Sequence, residues 1–471
     1  MREFCVLAVA VWSLAAFGRP APRPALLDRL NSGIDVIGII HWGLNTYTDR
    51  EWGYGDEDPA MLDPGAFDAD AIVAACKAGG LGGLVVVAKH HDGFCLWPTK
   101  TTEHNIAKSP FRCRSSGVGC RDYVKAMSEA CRRAGLKFGV YVSPWDRNNA
   151  DYGTAKYVET YHAQIKELLS GGYGEVFEMW FDGANGGDGW YGGAKERRTI
   201  TSGYYRFDEV FSFVRRLQPG VCIFAGERDD SDFRWPGNER GELDDNSRAT
   251  ICDVGWYANG RYGNPDYAYQ INTGMPNGTR FRVCEADFPM RRGWFYHAAD
   301  RGKTKHAAYL MKCYLRSVGN GGIMNLGVAP DRDGRMDAED IKALEGFGVI
   351  RRAFFADEVT EPGRAFNVVV LSEDISKGEQ VDSWTLVGDN GVSLAKGRAI
   401  GHRRIRVFEK PVRARSVDVC VTAAGPDLGK ITVKRYFVDP ELVRVVMAAT
   451  SSSGETDTAK WMTGLEKEKK N

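Results

Sequence analysis

The sequence predicts an α/β protein, a (β/α)8-like (TIM-type) barrel followed by a C-terminal antiparallel β-sandwich. Three observations carry that expectation. Seven segments between residues 36 and 330 of the 471-residue chain stay apolar until their last few positions, as strands buried on both faces must. Helical patterns that stop at Gly or Pro-Gly lie between them, and repeated strand, helix, strand favours a barrel over an open sheet. From about residue 356 the runs turn short and β-branched, divided by Gly, Pro and Asp, as in the strands of a sandwich.

The opening "MREFCVLAVAVWSLAAFGRPAPRPALL" sets Arg2 before an apolar run from Phe4 to Phe17, with small residues and prolines after it. That run is too short to span a bilayer and has the plan of a secretory signal peptide. Residues 1–18 are therefore expected to be a cleaved leader of an exported protein, periplasmic or extracellular, with no membrane span. The barrel is assigned to residues 33–355. Its strands are read in "VIGIIHWG" (36–43), "GGLVVVAKHHDG" (82–93), "KFGVYVSPWD" (137–146), "EVFEMWFDG" (175–183), "VCIFAGE" (221–227), "RFRVCEADF" (280–288) and "GGIMNLGVAP" (321–330). Between the first two lies "DADAIVAACKAGG", with Asp68 as N-cap and glycines as its stop. No G-x-G-x-x-G joins a strand directly to a helix, which weighs against dinucleotide binding. Residues 356–445 are assigned to the sandwich, and the polar stretch 451–471 reads as a disordered tail.

Lys+Arg and Asp+Glu both number 62, so the formal charge is zero. That balance gives no general attraction to nucleic acid or anionic lipid. Most cysteines fall inside helices or strands, where small apolar packing is the common role, and no Cys/His spacing indicates zinc. Cys113 and Cys120 flank "RSSGVG" in a loop; an exported protein can bridge them or leave them reduced.

The polar residues gather at strand ends. His41 follows the first strand, Lys89, His90, His91 and Asp92 the second, Trp145 and Asp146 the third, Asp182 the fourth and Glu227 the fifth. In a (β/α)8 barrel these ends share one mouth, where the active site sits. A lone histidine is more often a satisfied core residue, but three of eight fall at this rim. Barrel metal sites use His-x-His, which turns both rings to one face, whereas adjacent strand residues point apart. Hydrogen bonding to a polyol is therefore favoured over metal. Glycoside hydrolysis needs two carboxyl groups flanking one bond. Asp182, between "EMWF" and Gly183, is the best-placed first member. Glu239 in the glycine-rich loop "DFRWPGNERGE" (232–242) is a candidate second, with Glu227, Glu285 and Asp287 competing.

The blocks "IIHWGLNTYTDREWGYG", "VVVAKHHDGFCLWPTKTTEHNI", "LKFGVYVSPWDRN", "YGEVFEMWFDGANG", "RWPGNERGE", "GWFYH" and "NLGVAPDRDGRM" resemble, in order, those of the α-L-fucosidases of glycoside hydrolase family 29. The resemblance covers about residues 33–355. It implies an irregular barrel with a β-sandwich and a double displacement that retains configuration, with no metal or organic cofactor. It places the nucleophile on Asp182 and the acid/base on Glu239, with Glu285 in reserve. It builds the fucose pocket from His41, Glu51, Trp52, His90, His91, Tyr141, Trp180, Arg234 and Trp294. "SPWDRN" and "RWPGNE" resemble the subgroup that prefers α-1,3 and α-1,4 linkages, so fucosylated oligosaccharides or glycoconjugates are the expected substrates. The loop 186–204 is longer than that subgroup implies. Two other readings remain: a catalytically silent glycan-binding protein on the same barrel, and a glycosidase for a related sugar such as galactose.

Overall fold

The computed structural model of the chain describes residues 18–451 except 66, 114–119, 185, 202, 226–229 and 253–269. The expected leader, apart from Gly18, and the expected tail, apart from Ser451, lie outside the described residues.

Eight parallel strands close a barrel in sequential order. They are β1 (Val36–Ile40), β2 (Gly83–Lys89), β3 (Lys137–Val142), β4 (Glu178–Phe181), β5 (Cys222–Ala225), β6 (Phe233–Arg234), β7 (Val283–Pro289) and β8 (Ile323–Val328). Continuous apolarity follows from burial on both faces. Ile37, Ile39, Val85 and Val87 point inward to meet Tyr141, Trp180 and Phe224. Their neighbours Val36, Ile40, Leu84 and Val86 pack outward into the helix layer.

That layer holds α2 (Ala69–Ala78), α3 (Tyr123–Ala134), α4 (Ala155–Leu169), α5 (Phe207–Leu217), α6 (Ala307–Ser317) and α7 (Ala338–Phe354); α1 (Pro24–Asn31) precedes the barrel. Asp68 caps α2 as the sequence predicts, accepting from the Ala71 N–H at 3.1 Å. The "PALLDRLN" helix α1 is not foreseen. Its Leu26 joins the barrel-interior cluster, and Arg29 lies over the Phe177 ring at 4.6 Å and 3.8 Å from Glu178. It therefore closes the N-terminal end of the barrel.

One correction concerns the barrel wall. The segment "DFRWPGNERGE", read as a glycine-rich loop, contributes the eighth strand, β6. Two residues are too few to show any apolar run. Among the described residues it pairs with β5 through Phe224 and Phe233 and with β7 through Phe233 and Arg234.

Beyond the barrel, β9 (Ala365–Glu373), β10 (Val381–Val387), β11 (Ser393–Gly397), β12 (Arg404–Arg413), β13 (Asp418–Ala424) and β14 (Ile431–Tyr436) form two antiparallel three-stranded sheets, ordered β12-β9-β14 and β11-β10-β13. Phe366, Val369, Leu371, Trp384 and Leu386 fill the space between them. On the opposite face of β9, Val368 and Val370 join the helix-layer core of the barrel. The chain then returns as α8 (Pro440–Ala448), capped by Asp439, against α6. The sequence reading treats this stretch as sandwich.

Candidate active site

A cavity of about 230 Å³ opens at the C-terminal ends of the strands, where His41, His90, His91, Tyr141, Trp180 and Asp182 converge with Trp52, Glu239 and Trp294. The floor is aromatic. Trp180 stacks on Phe224 at 4.0 Å and on Tyr141 at 5.2 Å, and its indole N–H donates to Glu285 at 2.9 Å. Asn325 donates to the same Glu285 oxygen at 2.7 Å. Glu285 is therefore spent below the cavity and does not line it. Burial pushes its carboxyl up, and that of neighbouring Glu178 further.

Asp182 stands one residue beyond β4. The Tyr141 hydroxyl donates to one of its oxygens at 2.8 Å and the Ala184 N–H to the other at 2.6 Å. The carboxylate is thereby fixed in rotation with its face to the cavity. Glu239 comes from the loop after β6, and the Trp294 indole N–H donates to it at 3.3 Å. Its residue surface is largely exposed, yet its carboxyl is pushed up, chiefly by burial against the site and then by the charges of Asp182 and Glu51.

The three histidines are held neutral. Burial, then the charge of His91, lowers His41 to about 3, and burial lowers His90 well below its ordinary value. For His91 burial also dominates, partly offset by Asp182. The Ser143 hydroxyl donates to Trp145 O at 2.9 Å, so it accepts from His91 Nδ1–H at 2.7 Å. That assigns the tautomer. His91 Nε2, 3.9 Å from Asp182, is left as a hydrogen-bond acceptor.

The premise that His90 and His91 point apart fails, because β2 ends at Lys89 and strand alternation no longer applies. Their rings lie 4.1 Å apart and both line the cavity. Lys89 turns away into a buried network with Asp146, Tyr157 and Gln164.

Two expected pocket residues stand elsewhere. Arg234 is fully buried and donates to the backbone carbonyls of Ile271, Arg248 and Arg282. Phe233 faces the barrel interior, so the next side chain on the strand faces out. Glu51 also lies off the cavity. It accepts from the backbone N–H of Trp294 at 2.8 Å and of Phe295 at 3.2 Å, and bonds His297 at 2.7 Å. It fixes Trp294, which does line the cavity. Glu227 lies outside the described residues. Phe224 and Trp235 line the cavity without having been singled out as pocket residues, and Asp287 lines it too. Phe224 reads as plain strand core, while Trp235 beside Glu239 was the available signal.

The long loop after Asp182 folds back on the site's own frame. Its Asp188 accepts from Arg147 through both backbone carbonyl (3.1 Å) and carboxylate (2.6 Å), while the same guanidinium donates to Gly53 O at 2.5 Å. Cys113 and Cys120 meet through a backbone hydrogen bond of 3.0 Å. Among the described residues no group of three or more His, Cys, Asp or Glu side chains forms a metal-sized cluster.

Residues 37–350 match the family model described as alpha-L-fucosidase. A rice (Oryza sativa subsp. japonica) protein is 37% identical over 452 residues, covering 83% of this chain and 80% of its own. Alpha-L-fucosidase 1 of Arabidopsis thaliana is 31% identical, covering 83% of this chain and 82% of its own. A crystal structure of a glycoside hydrolase 29 family member from an unknown rumen bacterium superposes with a TM-score of 0.80 at 33% identity, over 90% of this chain and 78% of that one.

Proposed function

Because the chain belongs to the α-L-fucosidase family of glycoside hydrolases, we propose that it is a retaining exo-α-L-fucosidase acting on α-1,3- and α-1,4-linked fucose of glycans. The observation that carries the reading is one cavity whose lining brings together Asp182 and Glu239, two carboxyl groups in unlike settings. Asp182 is oriented by two donors and bare toward the cavity, as a nucleophile needs. Glu239 is pushed toward its protonated form, as a general acid needs. Asp182 attacks the anomeric carbon while Glu239 gives its proton to the leaving oxygen. Glu239 then takes a proton from a water whose oxygen attacks the same carbon, breaking the carbon–Asp182 bond and releasing fucose with its configuration kept. The neutral histidines bind hydroxyls, and Trp180, Phe224 and Ile39 supply the apolar wall for the 6-deoxy methyl group.

The linkage preference rests on the "SPWDRN" and "RWPGNE" blocks, and export rests on the leader-like residues 1–18. Incubation with a panel of α-1,2, α-1,3, α-1,4 and α-1,6 fucosylated oligosaccharides tests the linkage. Proton NMR of the first product tests retention, with α-L-fucose expected before mutarotation. Release from 4-nitrophenyl galactoside in preference to the fucoside would overturn the substrate assignment.

A further inference from the structure

One carboxyl group of the cavity has no part in the mechanism above. Asp287 is 3% exposed and lines the cavity, and its Oδ1 has no hydrogen-bond partner. No basic side chain among the described residues forms an ion pair with it; the side chains whose charge acts on it are Glu239, Glu285 and Asp182, all carboxyls, and only its own backbone N–H works against them. A buried polar oxygen left without a partner costs about 1–3 kcal/mol, and an unpaired negative charge buried beside three other carboxyl groups would cost more. Such a group is worth keeping where a ligand completes it.

Its depth says which part of the ligand. Asp287 lies within β7, two residues before the strand ends at Pro289 and in register with Asn325 of β8. Glu239 by contrast comes from the loop above the strands. Asp287 thus meets the ring held inside the pocket, and not the leaving group beyond Glu239. We propose that Asp287 is a further substrate-binding residue, a neutral carboxylic acid that donates its O–H to one of the hydroxyl oxygens of the bound fucose. Burial, reinforced by the charge of Glu239, pushes its carboxyl well above the usual range. A neutral carboxyl supplies one donor, and the neutral histidines around it supply at most one N–H each.

The inference rests on the fucosidase reading and is tested beside the wild type, whose failure to release fucose would instead overturn that reading. Asp287→Asn keeps a donor of nearly the same shape, and Asp287→Ala removes it. Asn is expected to hold kcat/KM within ~5-fold of wild type, and Ala to lose ~10- to 100-fold, with both variants melting within a few degrees of wild type. A set of 4-nitrophenyl fucosides lacking the 2-, 3- or 4-hydroxyl then locates the bond. The loss caused by Ala should shrink to near nothing on one deoxy substrate and persist on the others, which a merely structural role would not produce. Wild-type kinetics in Asp287→Ala, equal damage from Asn and Ala, or the same loss on every deoxy substrate would overturn the proposal.

Discussion

At the scale of single residues, the two carboxyls make separable demands. Asp182→Asn removes the proposed nucleophile while leaving an isosteric acceptor for the Tyr141 hydroxyl, so turnover should fall by about three to six orders of magnitude with an unchanged fold. Near-normal activity in that variant would sink the assignment. Glu239→Ala should respond differently, with azide restoring turnover on an activated aryl fucoside and yielding a fucosyl azide. The pH profile has a definite sign. Glu239 must be protonated to act, and its carboxyl is raised by burial, so kcat/KM should fall as pH rises through a value above the usual carboxylate range. Glu239→Gln should abolish that alkaline limb, and its persistence would move the proton to another group. Asp182 was legible because a strand end fixes where a side chain points. Arg234 was not, since its orientation depends on whether "FR" is strand or loop, and a two-residue strand leaves no periodicity to read. Glu51 was placed in the pocket by its motif; backbone N–H groups of Trp294 and Phe295, invisible in any pattern, claim its oxygens instead.

At the scale of elements, the segment least explained by the sequence is the loop 186–204. Its ribbon, Asp188–Gly189 against Glu196–Arg197, is anchored through Arg147, whose guanidinium also lies over the Tyr54 and Trp145 rings at 4.7 and 5.0 Å. Because that guanidinium bonds Gly53 O, the residue after Trp52 is tied to the new loop. Trp52 is 55% exposed at the rim, where a leaving-group sugar would rest. Asp188→Ala removes one half-exposed ion pair, which is worth about 0.5–1 kcal/mol. KM for a fucosylated trisaccharide should therefore rise about 2- to 5-fold, with kcat nearly unchanged and little effect on 4-nitrophenyl fucoside. A fall in kcat at constant KM would show that the loop acts on the chemistry instead. The long barrel strands and capped helices were readable because each declares itself locally. The helices α1 and α8 were not, because a leader and a sandwich on either side supplied stronger patterns than their own eight and nine residues.

At the scale of the whole molecule, barrel and sandwich share buried polar contacts that neither could leave bare. Arg404 of β12 is fully buried and donates to Asp245 O at 3.1 Å and Ser247 O at 2.7 Å in the barrel's loop layer. Glu379 accepts from Ala249 N at 2.9 Å, Arg248 pairs with Asp382 at 2.9 Å, and Arg403 reaches Asp35 beside β1 at 2.8 Å. Val368, Val370 and Ile405 add apolar contact with the helix layer. Separating the two units would exchange these hydrogen bonds for water, each worth about 0.5–1.5 kcal/mol net, and would expose the apolar contact as well. Unfolding should therefore be a single transition, with calorimetric and van't Hoff enthalpies in agreement. Arg404→Ala is the sharpest probe. It leaves the buried Ser247 carbonyl without this donor, while Arg406 still donates to Asp245 O at 3.0 Å, so it should cost on the order of 2 kcal/mol and lower the melting temperature while kcat of the remaining folded enzyme stays the same, since Arg404 does not line the cavity. Two resolved transitions in the wild type, or an Arg404→Ala protein as stable as its parent, would mean that the barrel stands alone and the sandwich is merely attached.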